Sequence, residues 1–396
     1  MRKKKILFVI HNMNLGGTEK SLLALLDIID SSRNEITVLL LEDFGALKSS
    51  IPSHVTVEIL NGFEKYKHII QDPPARTITS FFKKKEFYSA SYLTSLWILA
   101  KLTNNWAFFY RFVLTNTPVI GSYDTAIAYA GPSDFISYLI VKKVQAKQKI
   151  QWIHFDVTKV LSNANFGNKY YTYFHTIVCV SKSAKSVFDE YFPKFSDKTI
   201  VFENIVSVTK LNELAEVGPT FDDNFNGLRL LTLGRISAEK GQFMIPEIVE
   251  VLLSQKKSFK WYCIGDGTEF SALQQEISKR ELHAYIVLLG AKLNPYGFLK
   301  DCDIYVQTSL HEGYGITMKE AKCFNRPCVV TNVVSAKDFF SNGENAIITD
   351  INPQSIGEGV LKLIEQDSLR ILFEERLKQE SNDYEDHATT MEKIFF

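Results

Sequence analysis

The stretch from Ser309 to Ala321, SLHEGYGITMKEA, limits most strongly what this chain can fold into. It lies between two apolar runs, DIYVQTS at 303–309 and RPCVVTN at 326–332, which have the pattern of buried strands in a parallel sheet. Gly313 and Gly315 predict a loop after the first strand, and a helix follows. The loop would present backbone N–H groups at a helix N-terminus, which is a favourable place for an anion.

Two carboxylates, Glu312 and Glu320, stand eight positions apart in this stretch. Glu312 is predicted to lie in the loop, and Glu320 lies about one turn into the helix if that helix begins near Ile316. One carboxylate can therefore meet a ligand at the loop while the other meets a different part of the same ligand. The alternative is an acidic loop followed by a surface glutamate on an amphipathic helix.

The length of 396 residues predicts two domains, because one ordinary core does not grow that large. The net charge is zero, but residues 1–205 carry 25 Lys and Arg against 17 Asp and Glu, whereas residues 206–396 carry 20 against 28. Halves of opposite sign favour one domain that meets an anionic surface. Chance drift of surface charge is the alternative.

The cysteines and the apolar runs place the chain among intracellular proteins. The five cysteines lie in or beside apolar runs without metal-ligand spacing to histidine, so we expect reduced core residues of a cytosolic protein. No apolar run has the length needed to cross a bilayer. The run ILFVI after the opening lysines is too short for the core of a signal peptide and predicts the first strand instead.

The N-terminal part repeats the pattern of strand, glycine loop and helix. A strand over Lys5–Ile10 leads into a loop with Gly16 and Gly17, and residues 18–29 have apolar residues at helical spacing. This is the first unit of a doubly wound fold. The loop lacks the G-x-G-x-x-G pattern, so a dinucleotide site is weakly indicated and a plain tight turn remains an alternative.

Polar residues follow other predicted strands. KIQWIH ends in His154, and a polar residue at the carboxyl end of a strand lies where α/β folds bind ligands. LRLLTLGRISAEKGQ at 228–242 places Arg235 and Lys240 in the turn after a strand, where the alternative is a solvated basic turn. The D-C-D triplet at 301–303 looks like a metal site, but it leads directly into a buried strand, and we expect a structural role.

Residues 63–112 differ from the rest of the chain. They hold eight Lys and Arg, three Asp and Glu, and thirteen aromatic residues. This composition suits a helical segment at an anionic membrane surface. A helical insertion whose aromatic side chains pack on the domain is the alternative, and nucleic acid is disfavoured because the whole chain is not basic. Residues 206–227 are predicted to be a linker plus a surface lead-in to the second domain.

Several of these motifs together resemble the retaining glycosyltransferases of the GT-B architecture, family 4: LGGTEKSLL, WIH, GRISAEKG, and HEGYG with its E-x7-E spacing. The resemblance implies an α/β fold of two Rossmann-like doubly wound domains facing across a cleft. The acceptor-binding domain would span residues 1–205 and the nucleotide-sugar donor-binding domain residues 206–379. A C-terminal helix over 380–396 would pack back on the first domain.

The resemblance also implies roles for particular residues. His154 would lie beside the donor sugar and the acceptor, Arg235 and Lys240 would clamp the donor diphosphate, and Glu312 would hold the sugar. Two cations around the diphosphate do what a metal does in other enzymes, so no metal and no cofactor are expected. The further donor-binding residues implied are Gly16, Gly17, Gly290, Gly313, Tyr314, Gly315, Ile316 and Glu320.

The implied function is the retaining transfer of a sugar from a nucleoside-diphosphate sugar, with UDP expected, to a glycan acceptor in bacterial cell-surface polysaccharide synthesis. The basic aromatic region at 63–112 favours a lipid-linked acceptor and a cytoplasmic protein peripheral at the inner face of the membrane, with no nucleic-acid partner. The alternatives are a non-catalytic glycosyltransferase-like partner subunit, a protein O-glycosyltransferase and a nucleotide-sugar epimerase. The sequence leaves the donor sugar, the base and the linkage open.

Overall fold

The computed structural model describes residues 2–103, 105–160, 164–253, 258–380, 391 and 394–395. The chain forms two compact units. The first comprises Met1–Glu203 with Ala388–Phe396, and the second comprises Asn204–His387. Each unit is built on one sheet of parallel strands with helices in the connections, as the alternation of apolar runs and helical patterns predicts.

The sheet of the first unit has seven strands in the order β3-β2-β1-β4-β5-β6-β7. Residues 6–10 of β1 are fully buried, because strands in the middle of a parallel sheet are covered on both faces. The strands are β1 Lys4–Ile10, β2 Asn34–Leu40, β3 Thr56–Ile59, β4 Ile120–Gly131, β5 Val144–Ile153, β6 Thr176–Cys179 and β7 Thr199–Val201. The chain order reverses between β1 and β4, which makes their carboxyl ends the expected ligand position of this unit.

Nine helices of the first unit lie within the described residues. Their bounds are α1 Gly17–Ile28, α2 Phe63–Gln71, α3 Pro74–Lys83, α4 Phe87–Thr103, α5 Ala107–Val113, α6 Asp134–Lys143, α7 Val157–Val160, α8 Ala164–Tyr170 and α9 Lys182–Tyr191. The helices α2 to α5 form the connection between β3 and β4, so the basic aromatic region is helical. Ser181 caps α9 as its position predicts, since its Oγ accepts a hydrogen bond from the Ala184 amide at 3.0 Å.

The sheet of the second unit has six strands in the order β10-β9-β8-β11-β12-β13, so its order reverses between β8 and β11. The strands are β8 Leu228–Leu233, β9 Phe259–Ile264, β10 Ile286–Gly290, β11 Ile304–Gln307, β12 Cys328–Thr331 and β13 Ala346–Thr349. The helices described are α10 Val208–Val217, α11 Ile245–Leu252, α12 Phe270–Lys279, α13 Tyr296–Asp301, α14 Ile316–Cys323, α15 Ala336–Phe339, α16 Pro353–Glu365 and α17 Asp367–Glu380.

The prediction of a linker over residues 206–227 is wrong, because this segment contains α10. The helix buries Leu211 and Ala215, and Ser207 Oγ accepts a hydrogen bond from the Lys210 amide at 3.3 Å at its start. After the helix, the carboxylate of Asp223 is held by side chains of β8 and β9, with Arg229 Nη2 at 3.1 Å and Lys260 Nζ at 3.0 Å. Two buried apolar residues among many polar ones give too weak a periodicity for a sequence prediction.

The chain terminus contributes to the first unit. Met391, Ile394 and Phe395 are helical and buried, and the ring of Phe395 lies 6.2 Å from that of Phe8 and 6.5 Å from that of Trp152. The predicted helix over 380–396 otherwise lies mostly outside the described residues. No helix in the described part of the chain is long and apolar enough to cross a membrane.

Candidate active site

The carboxylate of Glu312 lies in the loop between β11 and α14 and is only 5% exposed. Its Oε1 accepts hydrogen bonds from Lys240 Nζ at 2.6 Å, Gln307 Nε2 at 2.8 Å and Ser309 Oγ at 2.7 Å. A buried charge is costly unless it is paired and hydrogen-bonded, and these three donors meet that requirement. The carboxylate is therefore fixed in one orientation in the absence of a ligand.

Gln307 at the end of β11 fixes the position of the Glu312 carboxylate through hydrogen bonds. Its Oε1 accepts hydrogen bonds from the hydroxyl of Tyr305 and from Thr317 Oγ1, the latter at 3.3 Å. The amide Nε2 is thereby directed towards Glu312 and towards Ser309 Oγ, which lies at 2.6 Å. Sequence reasoning did not single out Gln307. The available signal was a polar amide inside an otherwise apolar, buried strand, because such a group must find partners.

Lys240 reaches Glu312 because two loops that follow neighbouring strands are hydrogen-bonded to each other. Thr308 Oγ1 donates to the carbonyl of Lys240 at 2.9 Å, and the Leu310 amide donates to the carbonyl of Glu239 at 2.8 Å. Gly241 allows this approach, since its φ is +66° and a Cβ there would lie 2.2 Å from the carbonyl oxygen of Thr308. The loops thus join a cation and a carboxylate 72 positions apart.

Arg235 lies on the same loop as Lys240 but has a different partner. Its Nη2 is 3.4 Å from Glu239 Oε1, and the side chain is 65% exposed. Burial raises the pKa of Glu239, but hydrogen bonds from its own backbone and Ser237, with the charges of Arg235 and Lys240, outweigh burial and lower this pKa. An exposed ion pair contributes little net stability, so the guanidinium is able to turn towards an anionic ligand.

The loop that carries Gly313, Tyr314 and Gly315 ends at α14. Gly315 is the residue before the helix, with a φ of +77°, and Ile316 is the first helical residue. Glu320 lies one turn further, as the spacing predicts. It is buried, and its Oε1 accepts a hydrogen bond from the hydroxyl of Tyr296 at 2.7 Å.

The side chain of Tyr314 is occupied by the protein itself. Its hydroxyl donates to the carbonyl of Asn204 at 3.3 Å and accepts from Lys319 Nζ at 2.7 Å. Its ring packs edge-on against Phe339 at 5.0 Å. Because the side chain is buried in these contacts, Tyr314 can meet a ligand at the loop only through its backbone.

Gly290 ends β10 and has a φ of +68°. Its carbonyl accepts a hydrogen bond from the Gly265 amide at 3.0 Å. A Cβ at Gly290 would meet no atom within 4 Å, so this position faces open space at the carboxyl edge of the sheet. Lys240, Glu312 and Gly290 therefore all follow the carboxyl ends of strands of the second sheet, where open α/β sheets bind their ligands.

The predicted residues of the first unit lie at the carboxyl edge of its own sheet. Gly16 precedes α1 with extended backbone, and Gly17 is the first residue of that helix. His154 follows β5 and is buried, with its ring 4.6 Å from that of Tyr129. Burial lowers the pKa of His154 to about 3, so the imidazole is neutral near pH 7. Its Nε2 has no hydrogen-bond partner among the described residues.

A pocket of about 340 Å³ opens at the switch point of the first sheet. Sequence reasoning missed His11 here, although it stands directly after β1. Its Nε2 lies 3.2 Å from Ser133 Oγ, and burial lowers its pKa. The signal was again a polar residue at a strand end. The lining residues are Ile10, His11, Thr18, Glu19, Ala130, Pro132, Ser133 and Phe155.

The aspartates of the D-C-D triplet have structural partners. Asp303 Oδ2 accepts a hydrogen bond from the Arg229 amide at 2.7 Å, and Asp301 Oδ2 accepts one from Thr220 Oγ1 at 2.6 Å. These contacts tie β8 and the segment before it to the segment before β11. In the described part of the chain, no group of three or more His, Cys, Asp or Glu side chains is arranged to hold a metal ion.

Two Rossmann-like units are the architecture of the GT-B glycosyltransferases, and the structural comparison shows this fold. The structure is similar to that of HepE from Anabaena, which was solved with UDP and glucose, with a TM-score of 0.70 at 17% sequence identity. The match covers 99% of this chain and 98% of HepE, and it shows that the two proteins share their fold. Residues 224–383, in the second unit, match the family model of glycosyl transferases group 1.

The matches to curated relatives cover only part of each chain. An uncharacterized glycosyltransferase of Methanocaldococcus jannaschii is 28% identical over 169 residues, which is 41% of this chain and 41% of the relative. A Campylobacter jejuni enzyme is 22% identical over 48% of this chain and 50% of its own length. Its name is N-acetylgalactosamine-N,N'-diacetylbacillosaminyl-diphospho-undecaprenol 4-alpha-N-acetylgalactosaminyltransferase. The chain thus spans about half the length, or less, of these two relatives.

Proposed function

We propose that this glycosyltransferase moves a sugar from a UDP-sugar to a glycan acceptor with retention of the anomeric configuration. The observation that carries the proposal is the pair of Lys240 and Glu312, held together by two hydrogen-bonded loops at the carboxyl edge of the second sheet. The pair supplies a cation for a diphosphate next to a fixed carboxylate for sugar hydroxyls. The binding of UDP by the structurally similar HepE supports the choice of base.

The donor would be held by groups of the second unit only. The diphosphate would lie between Lys240, the exposed guanidinium of Arg235 and the N-terminus of α14, where Gly313 and Gly315 let backbone amides approach an anion. Glu312 would accept hydrogen bonds from hydroxyls of the sugar, and Glu320 from those of the ribose.

The chemistry asked of these residues is electrostatic. As the bond between the sugar and the phosphate lengthens, negative charge grows on the diphosphate, and Lys240 and Arg235 stabilise that charge in a partly buried site. No side chain is assigned as a general base. We propose that a leaving phosphate oxygen takes the proton of the acceptor hydroxyl on the same face of the sugar, which gives retention and balances the proton.

The acceptor would be bound by the first unit. The pocket at the ends of β1 and β4 combines the ring of Phe155 with the polar groups of His11, Glu19 and Ser133, a combination that suits a sugar ring and its hydroxyls. The neutral imidazole of His154 is able to accept a hydrogen bond from a hydroxyl through Nε2. A lipid-linked acceptor and a peripheral membrane location are part of the proposal, and the Campylobacter relative that uses a diphospho-undecaprenol acceptor favours them.

A transfer assay with an acceptor panel tests the proposal. Purified protein is incubated with UDP-sugars and with polyprenyl-diphosphate glycans or serine-containing peptides, with and without EDTA, and the product anomer is read by NMR. Metal-free transfer to the glycan with a retained anomer, abolished in Glu312→Gln, is the expected result. Transfer only to peptide would favour a protein O-glycosyltransferase, and loss in EDTA restored by manganese would refute the role given to Arg235 and Lys240.

A further inference from the structure

The helix α4, Phe87–Thr103, is apolar on nearly all sides, yet the protein covers only one of them. Ala90, Leu93, Leu96 and Ala100 are buried on the side that faces the neighbouring helices of the first unit. A helix that is apolar all round is normally buried all round. Some other apolar phase is therefore expected against its uncovered side.

The uncovered side carries five exposed apolar side chains, here named the α4 face, with the small exposed residues Ser91 and Ser95 between them. Tyr88 is 86% exposed and Leu102 is 80% exposed, and between them Tyr92, Ile98 and Leu99 are also exposed. Positions 88, 92, 99 and 102 recur at helical spacing, so these side chains project in similar directions. Single exposed apolar residues are ordinary, but several on one side of a helix mark an interaction surface.

The charge around the α4 face is positive. Lys83, Lys84 and Lys85 precede the helix, are exposed, and form no ion pair within the described residues. Lys101 lies near the other end, with its Nζ 4.2 Å from the ring centre of Trp97. No acidic residue occurs between Glu86 and Asp124. An apolar helix face bordered by these lysines is complementary to a bilayer surface, which has an apolar acyl region beneath anionic headgroups.

The structure also separates the aromatic residues of this region by role. Trp106 stacks on Phe109 at 5.7 Å, and Tyr110 packs edge-on against Phe135 of α6 at 5.6 Å. Phe112 lies 5.4 Å from the ring of Tyr92. The contacts of Tyr110 and Phe112 attach α5 to α6 and α4. The aromatic and basic residues of 63–112 thus fall into two groups. Some rings pack within the unit, whereas the α4 face, the lysines before it, Phe82 and Phe87 are exposed and available to a partner.

We propose that the α4 face is the docking surface for an anionic lipid bilayer, with its apolar side chains entering the headgroup boundary and Lys83, Lys84 and Lys85 contacting the headgroups. The choice of a bilayer rests on the proposed function in one respect, because a lipid-linked acceptor requires the enzyme to reach a membrane. The binding itself needs no donor and can be measured without activity.

Vesicle binding of the full chain tests the docking surface. Vesicles of phosphatidylcholine with 30 mol% phosphatidylglycerol, and vesicles of phosphatidylcholine alone, are sedimented with wild type and with the double variant Tyr88→Gln, Leu102→Gln. Both positions are highly exposed, so the double variant should fold. Val217→Gln, at an 81% exposed position of α10 in the second unit, is the matched control.

Wild type is expected to bind the anionic vesicles and not the neutral ones. The double variant should bind at least tenfold more weakly, and Val217→Gln should bind like wild type. Each basic residue near an anionic surface changes binding about fivefold, so replacing Lys83, Lys84 and Lys85 with glutamine should weaken it about 100-fold. Equal binding by wild type and the double variant would overturn the proposal.

Two further measurements distinguish membrane docking from self-association and from the proposed donor site. Sedimentation velocity shows whether wild type self-associates; self-association lost in the double variant, without vesicle binding, would replace the bilayer by a second copy of the chain. A nucleotide thermal shift reports the donor site independently. A UDP shift without vesicle binding would sink the docking surface alone, whereas vesicle binding without any nucleotide shift would sink the proposed function and leave the docking surface standing.

Discussion

Replacing Lys240 with methionine should loosen the loop of Glu312 even without any ligand. The variant keeps most of the aliphatic length of the side chain but removes the cation 2.6 Å from Glu312 Oε1. The carboxylate then keeps its hydrogen bonds from Gln307 and Ser309 and loses its only described ion pair. A buried charge without a counter-charge destabilises the folded loop.

The magnitude follows from the burial of the two partners. Breaking a fully buried pair costs about 3–5 kcal/mol. The carboxylate is 5% exposed, but the Lys240 side chain is 22% exposed, so solvent already screens the pair. With two neutral donors left in place, we expect a loss of about 2 kcal/mol, which corresponds to an equilibrium constant for loop opening that is about 30-fold larger at 25 °C.

Hydrogen exchange of the segment 304–323, read by mass spectrometry, measures this opening directly, and segments of the first unit serve as internal standards. Lys300→Met is the matched control, because Lys300 pairs with Glu216 on the surface and such pairs contribute roughly 0–1 kcal/mol. Removing Lys240 after Glu312→Gln should cost far less than removing it alone. Equal acceleration in Lys240→Met and Lys300→Met, or additive effects with Glu312→Gln, would refute the reasoning.

Two other predictions concern the pH dependence and the loop contact. Burial lowers the pKa of His154 to about 3, so the unfolded chain binds one more proton below pH 6.5, and stability falls as the pH falls from 6.5 towards 3. Urea unfolding at pH 5 and pH 7.5 measures this loss of stability. Between these pH values, His154→Phe should lose about 2 kcal/mol less of its free energy of unfolding than wild type, and an equal loss would contradict the prediction. Gly241→Ala should weaken UDP binding at least tenfold in calorimetry, because its Cβ would lie 2.2 Å from the carbonyl oxygen of Thr308. Gly290→Ala, at a similar φ but in open space, should disturb the backbone only locally; equal damage to the fold by both variants would contradict the specific role of the loop contact.

The local units of this fold follow from the sequence because they depend on short-range patterns. The strand before Glu312, the loop with Gly315 and the start of α14 at Ile316 all stand where the apolar run and the glycines predict them. The position of Glu320 one turn into the helix also follows from the helical repeat.

The partners of these residues depend on tertiary structure, and the sequence does not specify them. The contact between Lys240 and Glu312 exists because β8 and β11 are neighbours in the sheet, although two strands separate them in sequence. The hydrogen bond from Gln307 to Glu312 depends on how the side chains of the strand end and of the following loop are oriented, which the sequence pattern does not specify. The α4 face could not be predicted, since a helix apolar all round has no periodicity that distinguishes its two sides.

The most direct test of the donor site is a thermal-shift measurement with UDP, GDP, ADP and their sugars on wild type and Lys240→Met. The account predicts that UDP and a UDP-sugar stabilise the wild type, by about 2.7 kcal/mol when the ligand is at 100 times its Kd. In Lys240→Met the shift should be lost or strongly reduced relative to the ligand-free variant. A UDP shift of full size in Lys240→Met, or no shift of the wild type with any nucleotide, would contradict the assignment of Lys240 and Glu312 as the donor site.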